Sequence, residues 1–307
     1  FLYGMLISAG FSLLHSFFSF QRTGDLSVFT YYDLAENMKL HPTYYSLYAL
    51  TALHFLWNGG FKAGIKFLGT SVLLLFLLLL QSKMAYFILV LMTLLYVFII
   101  WKSVRVRIVA VTGLIVISVI FGSKFSTRMT EDIRGFTMVD ETWIGTMEEN
   151  GVSQRLWLFN EAISQIKEKP VMGYGLKSQR TLFGWKIHKK ELKEYLPKRY
   201  REASWTVSKL NLHNQYLQVF YEGGLLGLIL FLVPLGMIGY YAAQMKNLFF
   251  LIPYGVFLLF LVTENLLDRQ MGIYYYGIFL PLLFLVKEKP IRTLNIKYNS
   301  FRAQKKV

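Results

Sequence analysis

The chain has 307 residues, 54% of them hydrophobic and 17% aromatic, with a mean hydropathy of +0.41; a soluble domain of this size could not bury that much apolar surface. Its 33 basic and 18 acidic residues leave a net charge of +15, which in a soluble protein would suggest nucleic acid, but excess Lys and Arg in cytoplasmic loops of a membrane protein is the simpler account. The absence of cysteine excludes disulfides, thiol catalysis and thiolate-bound metals.

Uninterrupted apolar runs of spanning size predict an all-α polytopic membrane protein, because about 20 apolar residues cross the hydrocarbon core and open sheet edges are not tolerated in lipid. In chain order the predicted spans are 1–20, 41–57, 64–81, 84–101, 106–122, 218–243, 248–264 and 270–286, about eight transmembrane helices. Phe1 opens the first run without an initiator Met or a basic signal-peptide start. The sequence therefore reads as beginning inside a longer membrane protein, with further helices upstream. Only Gln81-Ser82-Lys83 separates the third and fourth runs, which predicts a helical hairpin with a polar tip.

Loop charges predict the orientation. The basic tail 287–307, Lys246, the run Lys102–Arg107, and Lys62 with Lys66 all fall on one side, taken as cytoplasmic. The acidic connection with Asp25, Asp33 and Glu36, the hairpin tip with Lys83, and Glu264–Arg269 fall on the other. Four parts result: N-terminal transmembrane helices (1–122), one large helical extracytoplasmic loop (123–212), C-terminal transmembrane helices (213–286) and the tail (287–307). The large loop has 16 basic and 11 acidic residues, which long loops tolerate outside. Within it, Ser153 is placed to cap a helix at 154–168 whose Leu156, Phe159, Ile163 and Ile166 recur at helical spacing. Pro170 ends that helix, Gly173-Tyr174-Gly175 follows as a turn, and a charged helix is expected around 188–203.

Polar residues that lipid would reject are the candidates for chemistry. Arg155, near the start of the amphipathic helix, is either a surface Arg or a bidentate grip on phosphate oxygens. His213 sits where the loop re-enters the membrane, with Asn211 as the expected N-cap. The positive end of the helix dipole there favours a neutral ring, as a general base needs, although an interfacial capping His is the plainer reading. His15, His41 and His54 lie in or beside spans and His188 in the charged loop, without that context. Lys83 either serves a site or snorkels to the interface, and Glu264 and Arg269 are expected to pair with each other across their turn. There is no Walker A loop, dinucleotide glycine pattern, HExxH or outward Asp-x-Asp pair, so no metal or cofactor is expected.

Four runs in order, Ser153-Gln-Arg155, Pro170-Val-Met-Gly173-Tyr-Gly175, Leu212-His213-Asn214-Gln-Tyr216-Leu217 and Glu222-Gly223-Gly224-Leu-Leu-Gly227, resemble the O-antigen ligase and Wzy-type O-antigen (capsular polysaccharide) polymerase superfamily. His41-Pro-Thr-Tyr-Tyr45, Gln81-Ser-Lys83 and Thr263-Glu264 to Arg269 fit the same pattern, so the resemblance covers roughly residues 40–285. It implies a metal-independent, inverting glycosyltransferase of the bacterial inner membrane, working at the periplasmic face. The implied donor is an undecaprenyl-diphosphate-linked glycan, and the acceptor is the lipid A core or a second lipid-linked glycan. By motif, His213 would take the proton of the acceptor hydroxyl, and Arg155 would bind the diphosphate. Lys83 would help at a hairpin tip where the family often has Ser-Arg, with the planar fork of Arg lost. Asn214, Tyr216, Arg180 and Arg269 are further expected substrate-binding residues. A non-enzymatic flippase of lipid-linked oligosaccharide is the alternative; it would call for internal pseudo-symmetry.

Overall fold

The computed structural model describes residues 1–113, 115, 151–179 and 211–285. Among these every regular element is helical. We number them α1 (Leu2–Thr23), α2 (Tyr31–Glu36), α3 (Pro42–Asn58), α4 (Ala63–Leu79), α5 (Lys83–Leu95, continued by a π-helical turn to Ile100), α6 (104–113), α7 (Gly151–Ile166), α8 (Gln215–Gln244), α9 (Leu248–Thr263) and α10 (Gln270–Leu285). Three are long and apolar enough to cross a membrane: Leu2–Thr23, Lys83–Ile100 and Gln215–Gln244. The apolar helices Ala63–Leu79, Leu248–Thr263 and Gln270–Leu285 are shorter. The element bounds follow the expected spans closely, while the expected span 106–122 is described only to Gly113 and at Ile115. The helix expected around 188–203, Arg180, His188 and the basic tail lie outside the described residues.

The bundle is built around α3. Its 14 buried residues surround the whole helix, from Pro42 to Leu56, and it packs against α1, α4, α5 and α9. The outer helices instead turn large apolar side chains outward, such as Ile7 at 71% and Leu230 at 74% exposure. A soluble protein does not carry apolar faces of that extent, whereas lipid covers them at no cost.

Side-chain contacts order the two ends of the bundle. Lys66 Nζ donates to the Trp57 carbonyl (3.0 Å), the Trp57 and Trp101 rings meet, and His54 Nε2 reaches the Phe249 carbonyl (3.2 Å). The end of α3, the starts of α4 and α9 and the end of α5 therefore share one end. The opposite end gathers α2, the start of α3, the Gln81–Ser82 tip, the start of α8, and the turn after α9. This antiparallel arrangement agrees with the alternation read from loop charges.

The start of α8 fixes that second end. Asn214, not Asn211, is the N-cap: its side chain accepts from Leu217 N (2.9 Å), and Asn211 instead accepts from His213 N (3.0 Å). His213 thus stands just before the helix rather than in its first turn, at φ 49°. Gln215 and Gln218, one helical turn apart and both buried, hold the turn that follows α9. Gln215 Oε1 accepts from Leu267 N (2.9 Å), and Gln218 binds both Asp268 and Asn265. One turn further, Tyr221 donates to Gln165 Oε1 of α7 (2.8 Å).

Of the face read from its spacing, α7 buries Ile166, leaves Leu156 and Phe159 half-buried and exposes Ile163. Leu158, Ala162 and Ile166 form a small core with Leu212 and Tyr221, while Ile163 is 45% exposed. Ala162 is small enough to let α8 approach, and that contact outweighs the count of large apolar residues on the other face.

Two glycine motifs meet where α8 is broken. Gly224 takes φ 60°, ψ −161°, a conformation closed to L side chains, and the loop after α7 docks against the break. Leu225 N donates to Pro170 O (2.8 Å), Leu226 N to Val171 O (3.2 Å), Tyr174 N to Tyr221 O (3.0 Å) and Gly175 N to Glu222 O (2.8 Å). These bonds satisfy the backbone groups that the break leaves open. Gly173, at φ 65°, and Gly224 touch backbone to backbone, with no room for a Cβ on either. Gly173 and Gly224 thus form a loop-to-helix clasp.

Candidate functional site

Glu264 organises the site. It caps the C-terminus of α9, and the grip of Gln215 and Gln218 on the next residues holds it beneath the entry to α8. Its carboxylate is 10% exposed and spans two partners. Oε1 accepts from Arg155 Nη2 at 3.1 Å, and Oε2 lies 3.3 Å from His213 Nδ1. Three elements separated by 109 and 51 residues in sequence thereby converge on one carboxylate. Burial by itself would raise the Glu264 pKa, but the hydrogen bond from His213 and the electrostatic influence of His213, Arg155 and His41 outweigh it. The carboxyl is held below its ordinary value of 4.5.

This pairing replaces the expected ion pair between Glu264 and Arg269. The α9 terminus turns the carboxylate toward α7 and α8, whereas Arg269, N-cap of α10, is exposed and lies beside Tyr44. Arg155 and His213, predicted separately, are brought together. Their side chains are 36% and 37% exposed, open to a ligand while anchored on the buried acid.

Because Nδ1 of His213 faces an ionised carboxylate, it carries the proton it donates there. The lone pair of Nε2 is then left outward, and no described group binds it. Such a ring can accept a proton at Nε2 while the carboxylate steadies the resulting charge, which is the working arrangement of a general base with an orienting acid. Arg155 spends one N–H on Glu264, and the fork retains other donors for an anion.

The other expected residues divide. Lys83 opens α5, exposed, after Ser82, whose Oγ caps Ala85 N (3.4 Å). It shares the end of the bundle with the cluster, although the groups acting most strongly on Glu264 are His213, Arg155 and His41. The Asn214 side chain is committed to its cap, and the Tyr216 hydroxyl donates to Leu258 O (3.0 Å). Both serve to hold α8 in place.

Sequence reasoning set His41 aside, and the structure places it in the cluster. Its Nδ1 accepts from Thr43 N (3.2 Å), capping α3, and its Nε2 meets the Tyr32 hydroxyl at 2.8 Å. Burial pushes the imidazole pKa below 6.5; Glu264 opposes this, while His213, Arg269 and Arg155 add to it. His41-Pro42 at the head of an apolar run was the available signal, since a His before Pro at N1 is a capping pattern.

The family model described as O-antigen ligase matches residues 68–232, more than half of the chain and the stretch that carries Arg155 and His213. The chain belongs to the O-antigen ligase family. A candidate polysaccharide ligase of Rickettsia conorii is 31% identical over 135 residues, covering 44% of this chain and 29% of that protein. One of Rickettsia felis is 29% identical over 135 residues, covering 44% and 30%. The match therefore spans about three tenths of the length of these relatives. Family membership and the apolar helices place the chain with membrane proteins.

Proposed function

We propose that this O-antigen ligase family member transfers a glycan from a polyprenyl diphosphate, undecaprenyl diphosphate in bacteria, to a sugar hydroxyl, without a metal and with inversion. The observation that carries this reading is the bridge from His213 Nδ1 through Glu264 to Arg155. His213 Nε2 takes the proton of the acceptor hydroxyl as its oxygen attacks the anomeric carbon opposite the diphosphate. The glycosidic bond to the diphosphate breaks, and the bonding pair leaves with the phosphate oxygen. Glu264 stays ionised and steadies the imidazolium, and Arg155 binds the charge that develops on the leaving group. Lys83, Arg180 and Arg269 are proposed as further cations for the diphosphate.

The cluster lies at the end of the bundle opposite the basic loops, which supports an outward-facing site in the bacterial inner membrane. There the lipid tail can stay in hydrocarbon while the sugars meet water. The names of the family and of the Rickettsia proteins, which say ligase, support ligation over polymerisation, and a lipid A core is the acceptor proposed for it. The decisive experiment is replacement of His213 with Ala. Ligated glycan should vanish from cells while the protein remains in the membrane, and full transfer by the variant would end the mechanism. Glycan analysis of a deletion strain separates the two acceptors: unlinked polymer on carrier lipid marks a ligase, single repeat units a polymerase.

A further inference from the structure

Between α1 and α3, α2 presents two neighbouring rings that the catalytic proposal does not use. Tyr31 and Tyr32 are 39% and 51% exposed, while the next two apolar residues, Leu34 and Ala35, are fully buried. The ring centroids lie 4.3 Å apart at 72°, so the two rings form a corner rather than a flat stack. Tyr31 holds φ 51°, a left-handed conformation that a bulky L residue adopts only under constraint from its surroundings. Tyr32 is fixed from the other side. Thr43 N binds His41 Nδ1, which puts the imidazole proton on Nε2, and that N–H donates to the Tyr32 oxygen at 2.8 Å. The Tyr32 hydroxyl is also hydrogen-bonded to Tyr31, which ties the two rings of the corner together. Tyr32 is also within electrostatic reach of Glu264 and Arg155, so this corner borders the same centre.

We propose that the Tyr31–Tyr32 corner is a sugar-binding subsite beside the His213–Glu264–Arg155 centre, taking one pyranose ring of the donor or acceptor glycan. This rests on the glycosyltransferase reading above. A pyranose has a face of C–H bonds that packs on the negative face of an aromatic ring, and a rim of hydroxyls that needs fixed polar partners. The corner supplies the rings and the Tyr32 hydroxyl, and the exposed carboxylates of Asp33 and Glu36 stand on the same short helix. An interfacial aromatic belt would also expose tyrosines, but it requires neither the strained backbone nor the imidazole that pins the phenol.

The test uses the full protein in lipid nanodiscs with a synthetic lipid-diphosphate oligosaccharide and an acceptor glycan, varying each in turn. Tyr32→Ala should raise KM for one of the two by about tenfold and change kcat by less than about threefold. The substrate affected tells whether the ring comes from donor or acceptor. Tyr32→Phe, which keeps the ring and loses the hydroxyl, should give a smaller rise. Wild-type KM for both substrates in Tyr32→Ala would overturn the subsite. A readout free of turnover is saturation transfer from aromatic protons to free oligosaccharide in the His213→Ala protein, expected to weaken when Tyr32→Ala is added. An unchanged signal would also overturn the proposal. Transfer that persists in His213→Ala sinks the underlying reaction instead, so the two failures are distinct.

Discussion

His54 and His213 show what separates the two ends of this bundle. His54 is 1% exposed and every ring nitrogen is taken: Nδ1 accepts from the Tyr96 hydroxyl (2.7 Å) and Asn58 Nδ2 (3.1 Å), and Nε2–H donates to Phe249 O (3.2 Å). That pattern fixes one neutral tautomer and closes the ring to any ligand. His213 uses only Nδ1, on a buried carboxylate, and faces outward with the rest. The same side chain is a structural pin at one end and, in the proposed mechanism, the reacting base at the other. The difference lies in whether its hydrogen-bonding capacity is exhausted inside the fold.

The comparison can be broken most sharply by removing each histidine. His213→Ala should lower transfer by a factor on the order of 10² to 10⁴, the range typical of a lost general base, with little change in melting temperature. His54→Ala should do the reverse. At matched folded protein it should keep kcat/KM near wild type, while the lost ring hydrogen bonds to Tyr96 and Phe249 cost about 1–3 kcal/mol in unfolding measurements. A catalytic loss in His54→Ala without loss of stability would erase the contrast. Glu264→Gln should reduce transfer about 10²-fold or more, because an amide can present a donor to Nδ1 and favour the wrong tautomer.

A backbone prediction comes next. Gly224→Ala should destabilise by about 1–3 kcal/mol through its φ of 60° and the clash with Val171 O, seen as a lower melting temperature in detergent. Gly227→Ala, whose Cβ would meet the Val219 carbonyl at an ordinary contact distance of 3.6 Å, should be close to neutral.

The smallest effects concern pH. The Glu264 pKa lies below its unfolded value of 4.5, so the stability it adds is complete above pH 4.5 and lost as pH falls through the lower folded value. The stability difference between wild type and Glu264→Gln should shrink in that acid window. His41, lowered from 6.5 by burial, contributes stability that is complete above pH 6.5 and declines below it. His41→Asn, which keeps a capping side chain, should flatten that decline.

Much of the helix layout was legible because lipid allows few alternatives. Runs at 248–264 and 270–286 became Leu248–Thr263 and Gln270–Leu285 almost unchanged. Arg155 and His213 were legible as separate residues, each conspicuous as a polar group beside apolar sequence. Glu264 was visible but assigned to the wrong partner. Its nearest basic neighbour in sequence is Arg269, and nothing local reveals that Gln215 and Gln218 hold its turn against another helix. His41 was passed over because a capping His looks the same in sequence whether or not a carboxylate stands behind it.

The sequence by itself determined that the chain is helical, that its apolar runs suit a membrane, and which strongly polar residues sit at their ends. Periodicity and hydropathy are local properties, and the bilayer's thickness and lack of hydrogen-bonding partners turn them directly into helices. Only the tertiary structure decided which of those polar residues share a site. The clasp between Gly173 and Gly224 and the grip of α8 on the turn after α9 set distances between side chains far apart in the chain. A few ångströms there separate an imidazole aligned on a buried carboxylate from a histidine that merely caps a helix.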